Sequence, residues 1–174
     1  PMLGVATEID TGREVAFRRG RLVDVVLASG AMPGVFPTRD FEGKRYVDGA
    51  ILNNVPVSAL VDAGADFVIA SNVVPPPHRM RAEPSLLRRA LSLVPPVARA
   101  RDSIRSLFML AHIAGEQQSI GAAVSFTPDL GEFSSFDMGH GKEIMEAARA
   151  ALPQVIRDTE ERYLAFCRGA SALR

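Results

Sequence analysis

Asp48 is the side chain in this sequence best placed to act as a base. It follows Arg45-Tyr46-Val47, a short run that reads as a strand, and Gly49 after it permits a tight turn. A carboxylate held by a sharp turn at a strand end suits proton abstraction, because ligands in open α/β sheets gather beyond such ends. By itself an Asp-Gly pair reads as a turn first and a base second. Ala50 continues the segment, and Asn53 and Asn54 follow ahead of a helix. The two asparagines are candidates to cap that helix or to support the Asp48 turn.

A base of this kind works on a nucleophile. Ser29, in Ala28-Ser29-Gly30, lies at a helix end without the strand-to-helix elbow of a nucleophile, and reads as a local hydrogen-bonding group near the site. None of the twelve serines has glycine at both positions two residues away. Ser119 has Gly121 but Gln117, and Ser171 has Gly169 but Leu173. The G-x-S-x-G elbow is therefore not in this sequence, and no nucleophile is assigned. His78, His112 and His140 are scattered. His112 reads as a packing or surface residue of a helix. His140 follows Asp48 as a triad histidine would, in order only. No histidine–carboxylate spacing suggests a metal site, and no cofactor is expected. Gly30-Ala31-Met32-Pro33-Gly34 contains a proline and is a poor phosphate cradle, which weakens a nucleotide-binding reading.

The elements that position these groups alternate. Residues 2–7 and 13–17 read as strands joined by Asp10-Thr11-Gly12, and residues 22–29 as a helix stopped by Gly30 and Pro33. Residues 30–44 read as loop. A short helix is expected over 56–64, with Pro56 near its start and Gly64 past its end, then a buried parallel strand over 66–73. The best amphipathic stripe runs over 101–118, with Ile104, Leu107, Phe108, Ala111 and Ala114. A strand over 122–127 and helices over 141–152 and 154–168 complete an α/β chain.

The 174 residues suit one domain or the larger part of one, and nearly half are apolar, enough for a core. Basic and acidic side chains are equal at 20 each, so nothing in the total argues for nucleic acid. Residues 79–105 depart from this balance. Arg79, Arg81, Arg88, Arg89, Arg99, Arg101 and Arg105 stand there against Glu83 and Asp102. Leu86, Leu87, Leu91, Leu93 and Val94 lie among them. The stretch reads either as a solvated excursion or as a surface for anionic lipid head groups. Cys167 is the only cysteine, so no intrachain disulfide forms, consistent with a reducing compartment. No stretch is apolar and long enough to span a bilayer. The expected location is cytoplasmic, with peripheral membrane contact as an extension. Pro1 is not an initiator residue, and the chain is expected to have been cut from a longer one.

Three ordered blocks carry a family resemblance. They are Ala28-Ser29-Gly30-Ala31-Met32-Pro33-Gly34-Val35-Phe36-Pro37, then Asp48-Gly49-Ala50 with Asn53-Asn54-Val55-Pro56, then Gly64-Ala65-Asp66 leading into a strand. Their order and spacing resemble the second block of patatin-like phospholipases, closest to the bacterial branch similar to neuropathy target esterase. Gly4 to Gly12 is similar to that family's preceding hairpin. Thr127-Pro128-Asp129 and residues 133–152 resemble the branch's final strand and helix. The resemblance covers residues 1–74 strongly and 122–152 moderately.

The resemblance implies a three-layer α/β/α fold with a mainly parallel sheet, of which this chain is the C-terminal part. Residues 1–74 are its aspartate-bearing block, 75–121 an Arg- and Pro-rich excursion with a helix, and 122–174 the final strand and helices. It implies that Asp48 is the catalytic aspartate of a Ser–Asp dyad without histidine, the serine forming an acyl-enzyme with a lipid or lysophospholipid ester. The serine and a Gly-rich oxyanion segment belong to the part upstream. The chain alone is then expected to be inactive. Its exposed apolar surfaces would need a partner, either its own N-terminal half or a second copy. A non-catalytic interaction module with the same fold is the alternative.

Overall fold

The structure, a computed structural model, describes residues 2–74, 76, 95–130, 133 and 138–172. Its larger sheet is built around β1 (Gly4–Glu8), which pairs antiparallel with β2 (Arg13–Phe17) from Gly4 opposite Phe17 to Glu8 opposite Arg13. Gly12 closes the hairpin at a φ of 65° and donates its N–H to the Glu8 carbonyl at 2.9 Å. That backbone conformation favours glycine. On its other side β1 pairs antiparallel with β4 (Lys44–Asp48), Ala6 lying opposite Asp48. The edge strand β3 (Arg39–Phe41) completes the order β2-β1-β4-β3.

Helix α1 (Leu22–Ser29) lies on this sheet. Ala28 and Ala6 are both fully buried and meet Tyr46, with Val15, Phe17 and Phe41 packed around them. The Phe17 ring meets Phe41 at 5.8 Å and Tyr46 at 5.2 Å, both edge-on, a favoured aromatic geometry. Asp24, buried in the helix, is held by Arg39 at 2.6 Å across to β3.

After a 3-10 turn (Gly49–Ile51) and the short helix α2 (Val57–Val61), the chain enters β5 (Ile69–Ser71). Helix α3 (Pro95–Ser119) leads to β6 (Val124–Phe126), which pairs parallel with β5, Ala70 opposite Ser125. Parallel neighbours need such a long crossover. Val55, Val57, Val68 and Ala70 form the second core, backed by Ala65 and Ala122. A 3-10 turn (Met138–His140), α4 (Gly141–Arg149) and α5 (Leu152–Ala172) close the chain. Tyr163 and Phe166 of α5 meet Phe67 at 5.3 and 5.7 Å.

The α/β class and the order of elements follow the sequence reading, with corrections. The stretch 30–44 is not all loop, since β3 lies within it. Glu42 and Gly43, both at positive φ, form the two-residue turn that pairs β3 with β4. The strand expected over 66–73 is only three residues long, and Ile69 is 50% exposed. Among the described residues it has one neighbour strand, so the continuous apolar run is covered only in part. The helix expected over 56–64 ends at Val61, and that over 101–118 starts at Pro95. The helix over 141–152 stops at Arg149. Among the described residues, four of the six strands form an antiparallel sheet, and the β5–β6 pair alone is parallel. His78, residues 79–94 with their four arginines and apolar side chains, and residues 134–137 lie outside the described residues.

Candidate functional site

Asp48 sits at the last residue of β4, where the sheet gives way to the 3-10 turn. Its backbone is fixed from three sides. It pairs with Ala6, its N–H donates to the Ala31 carbonyl just beyond α1 at 3.0 Å, and its carbonyl accepts the Thr7 hydroxyl at 3.2 Å. Its side-chain Oδ1 accepts the Ala50 backbone N–H at 2.9 Å, the hydrogen bond of an N-cap. Burial pushes the Asp48 carboxyl above the usual carboxylate range, and the Ala50 N–H works against that rise. A raised carboxyl is the better proton acceptor.

Gly49 serves this turn differently from the expectation. Its φ is not positive. It is glycine because the β1 backbone passes against it, and a Cβ there would stand 2.3 Å from the Val5 carbonyl oxygen. The Gly49 carbonyl then accepts both the Leu52 N–H at 3.1 Å and the Asn53 N–H at 2.8 Å, folding the following loop back on the turn.

Asn53 and Asn54 do not cap α2, whose N-cap is Pro56 with no side-chain hydrogen bond. They brace the loop instead. Asn53 is buried, and its Nδ2 donates to Glu14 of β2 at 3.0 Å and to the Ser58 hydroxyl of α2 at 3.1 Å. Asn54 Nδ2 donates to the Ala111 carbonyl of α3 at 3.1 Å. Further side chains of α3 hold the same region. Gln118 bonds Leu52 and Val55, and Glu116 meets buried Asn72 at 3.4 Å and Thr127 at 3.3 Å. Gly115 lets the helix come close, since a Cβ there would lie 2.8 Å from Asn54 Nδ2. The sequence reading missed this role of α3, because its apolar stripe carried no sign of what the polar face would meet.

A cleft of about 370 Å³ opens over Asp48. Residues Met2 to Val5 and Val25, Val26 and Ser29 of α1 line one part, and Asp48, Gly49, Ala50, Asn53, Asn54 and Pro56 the rest. Asp48 is the one ionisable side chain on this wall among the described residues. Ser29 thus shares the cleft with Asp48, as its place near the site suggested. His140 is not on this wall and lies beside the Phe133 ring at 5.9 Å. His112 contacts the Val74 carbonyl through Nδ1 at 2.9 Å, a packing role. Among the described residues no group of three or more His, Cys, Asp or Glu could hold a metal ion, and no helix is long and apolar enough to cross a membrane.

Beside the cleft the outer face of α1 is bare. Leu22, Val23, Val26 and Leu27 are 49–60% exposed. A helix apolar on all sides is one that other structure covers.

Comparison with known proteins is consistent with this geometry. Residues 2–61 match the family described as Patatin-like phospholipase. An uncharacterized NTE family protein of Mycobacterium bovis is 37% identical over 70 residues, 40% of this chain and 19% of that protein. A second, from Mycobacterium tuberculosis, is 26% identical over 163 residues, 84% of this chain and 27% of that protein. The matches therefore span less than a third of the length of these curated relatives.

Proposed function

We propose that this chain, whose residues 2–61 match the patatin-like family and which is similar to NTE family proteins, is the aspartate-bearing portion of a serine acyl hydrolase acting on lipid or lysophospholipid esters. The observation that carries this reading is the Asp48 carboxylate, aimed by the Ala50 N–H and set in a cleft whose other walls are largely apolar. The serine of a G-x-S-x-G elbow, supplied by a segment outside this sequence, attacks the ester carbonyl while its proton passes to Asp48. The acyl group moves to the serine oxygen and the alcohol leaves with a proton. Water then releases the acid. Burial of Asp48 favours the proton-bearing state formed in the first step. A carboxylate remains a weak base for a serine hydroxyl, so the acceleration has to come from tight placement of the pair.

In this reading the parallel β5–β6 pair is extended by further parallel strands into the mainly parallel sheet of a three-layer α/β/α fold, and the bare face of α1 is covered by the same serine-bearing half. The chain alone does not turn over esters. The test is hydrolysis of p-nitrophenyl butyrate by this chain and by a polypeptide joining it to a patatin-like segment with G-x-S-x-G. Activity of the joined form that Asp48→Asn abolishes supports the proposal. Robust Asp48-dependent turnover by this chain alone, or joined activity indifferent to Asp48, overturns it.

The arginines of residues 79–105 belong to the same proposal as a contact for anionic lipid surfaces. Co-sedimentation with anionic vesicles that weakens with salt is the expected result, and equal binding to neutral vesicles argues against it.

A further inference from the structure

We propose that Gln118 of α3 is a positioning residue for Asp48, acting as a two-sided clamp on the loop that follows it. The inference rests on the reading of Asp48 as the base, but its geometry stands independently. Gln118 Oε1 accepts the Val55 N–H at 3.0 Å, and its Nε2 donates to the Leu52 carbonyl at 2.8 Å. One amide thus closes both ends of a four-residue loop. The loop is also tied to the turn, because the Leu52 and Asn53 N–H groups both reach the Gly49 carbonyl. Gly49 is covalently next to Asp48, and Ala50 after it supplies the N–H that aims the carboxylate. The path from Gln118 to the Asp48 side chain is therefore a run of hydrogen bonds and one short turn. No contact between the two residues is needed.

The residue type fits this task. The glutamine amide donates and accepts at once from adjacent atoms; glutamate at neutral pH would accept alone, and leucine would do neither. Val55 is buried, so an unmet N–H there has no easy recourse to water. Asn54 holds the same loop from its own side, through the Ala111 carbonyl about two α3 turns before Gln118. Gly115, between those two anchors, lets α3 approach closely. A misplacement of a reacting group by about 1 Å can lower a rate by up to a hundredfold, so a loop clamp of this kind bears on turnover.

The test uses Gln118→Leu and Gln118→Glu in this chain, with Gln117→Leu as the control on the exposed neighbouring position. Two quantities are read without any assay of activity: hydrogen exchange of the Val55 amide, and the Asp48 carboxyl titration followed by carbon NMR. Gln118→Leu is expected to lose Val55 protection and to shift the Asp48 titration upward, as the Ala50 N–H that opposes its rise is loosened. Gln118→Glu, which keeps the acceptor, is expected to retain most of the protection. In the joined hydrolase, Gln118→Leu should lower kcat by roughly tenfold or more with KM little changed. An Asp48 titration unmoved by Gln118→Leu, or moved equally by Gln117→Leu, overturns the clamp. If the clamp holds while the joined protein with native Gln118 shows no Asp48-dependent hydrolysis, it is the hydrolase reading that fails.

Discussion

The Val5 carbonyl oxygen lies 2.3 Å from where a Cβ of residue 49 would be, so strand β1 and the turn after Asp48 meet backbone to backbone. That approach brings β1 and the end of β4 together at the floor of the cleft. Gly49→Ala must push β1 away or rotate the turn, and neither partner is a flexible side chain. The expected cost is about 3 kcal/mol, at the upper end for overpacking. Urea unfolding monitored by circular dichroism should show the lower midpoint with the slope unchanged.

Asp48→Asn is expected to stabilise the fold at neutral pH. The folded carboxyl titrates above its unfolded value because burial disfavours the charge. Between those two values the folded state binds more protons than the unfolded one, so stability falls as pH rises through that window and stays lower above it. Asparagine keeps an oxygen for the Ala50 N–H and removes the charge. Unfolding free energies from pH 3 upward should diverge in favour of the variant as pH rises; parallel curves would contradict the assignment.

Hydrolysis by the joined polypeptide should rise with pH as Asp48 ionises. A base works only when deprotonated, so activity appears as pH passes the folded value, above the ordinary carboxylate range. The pH dependence of kcat/KM reads this ionisation in the free enzyme. A midpoint below that of ordinary aspartate would contradict it.

Asn53→Ala removes the donor that joins β2 to α2 and leaves the Glu14 carboxylate without that partner. Glu14 and Ser58 are exposed and water replaces the lost donor, so the loss should be about 0.5–1.5 kcal/mol, the net worth of an ordinary hydrogen bond. Asn53→Asp should be worse than Asn53→Ala at neutral pH, because it sets a second carboxylate against Glu14. Denaturant midpoints at pH 7 rank the two variants.

The α1 face carries a prediction about association. Val23→Lys together with Leu27→Lys alters two side chains that are 60% and 49% exposed and outside the two buried clusters. The chain should keep its fold and lose affinity for a separately expressed serine-bearing segment by tenfold or more, while Glu42→Lys at the far hairpin turn should not. Isothermal titration measures both.

By itself the sequence determined the order of elements apart from β3, the hairpin at Asp10-Thr11-Gly12 and the bounds of α1, and it pointed to Asp48 as the candidate base. These are legible because they depend on local periodicity, on turn residues, and on a run of ordered motifs. Only the tertiary structure decided why residue 49 is glycine, that Asn53 and Asn54 brace a loop rather than cap a helix, and that Gln118 reaches back across 63 residues to Val55. It also decided that the larger sheet is antiparallel and that β5 is half covered. Each of these depends on which surface comes to lie against which. A strand pattern records that one face is apolar, but the neighbour that covers it, and the backbone that leaves no room for a Cβ, are fixed by long-range contacts that no local spacing encodes.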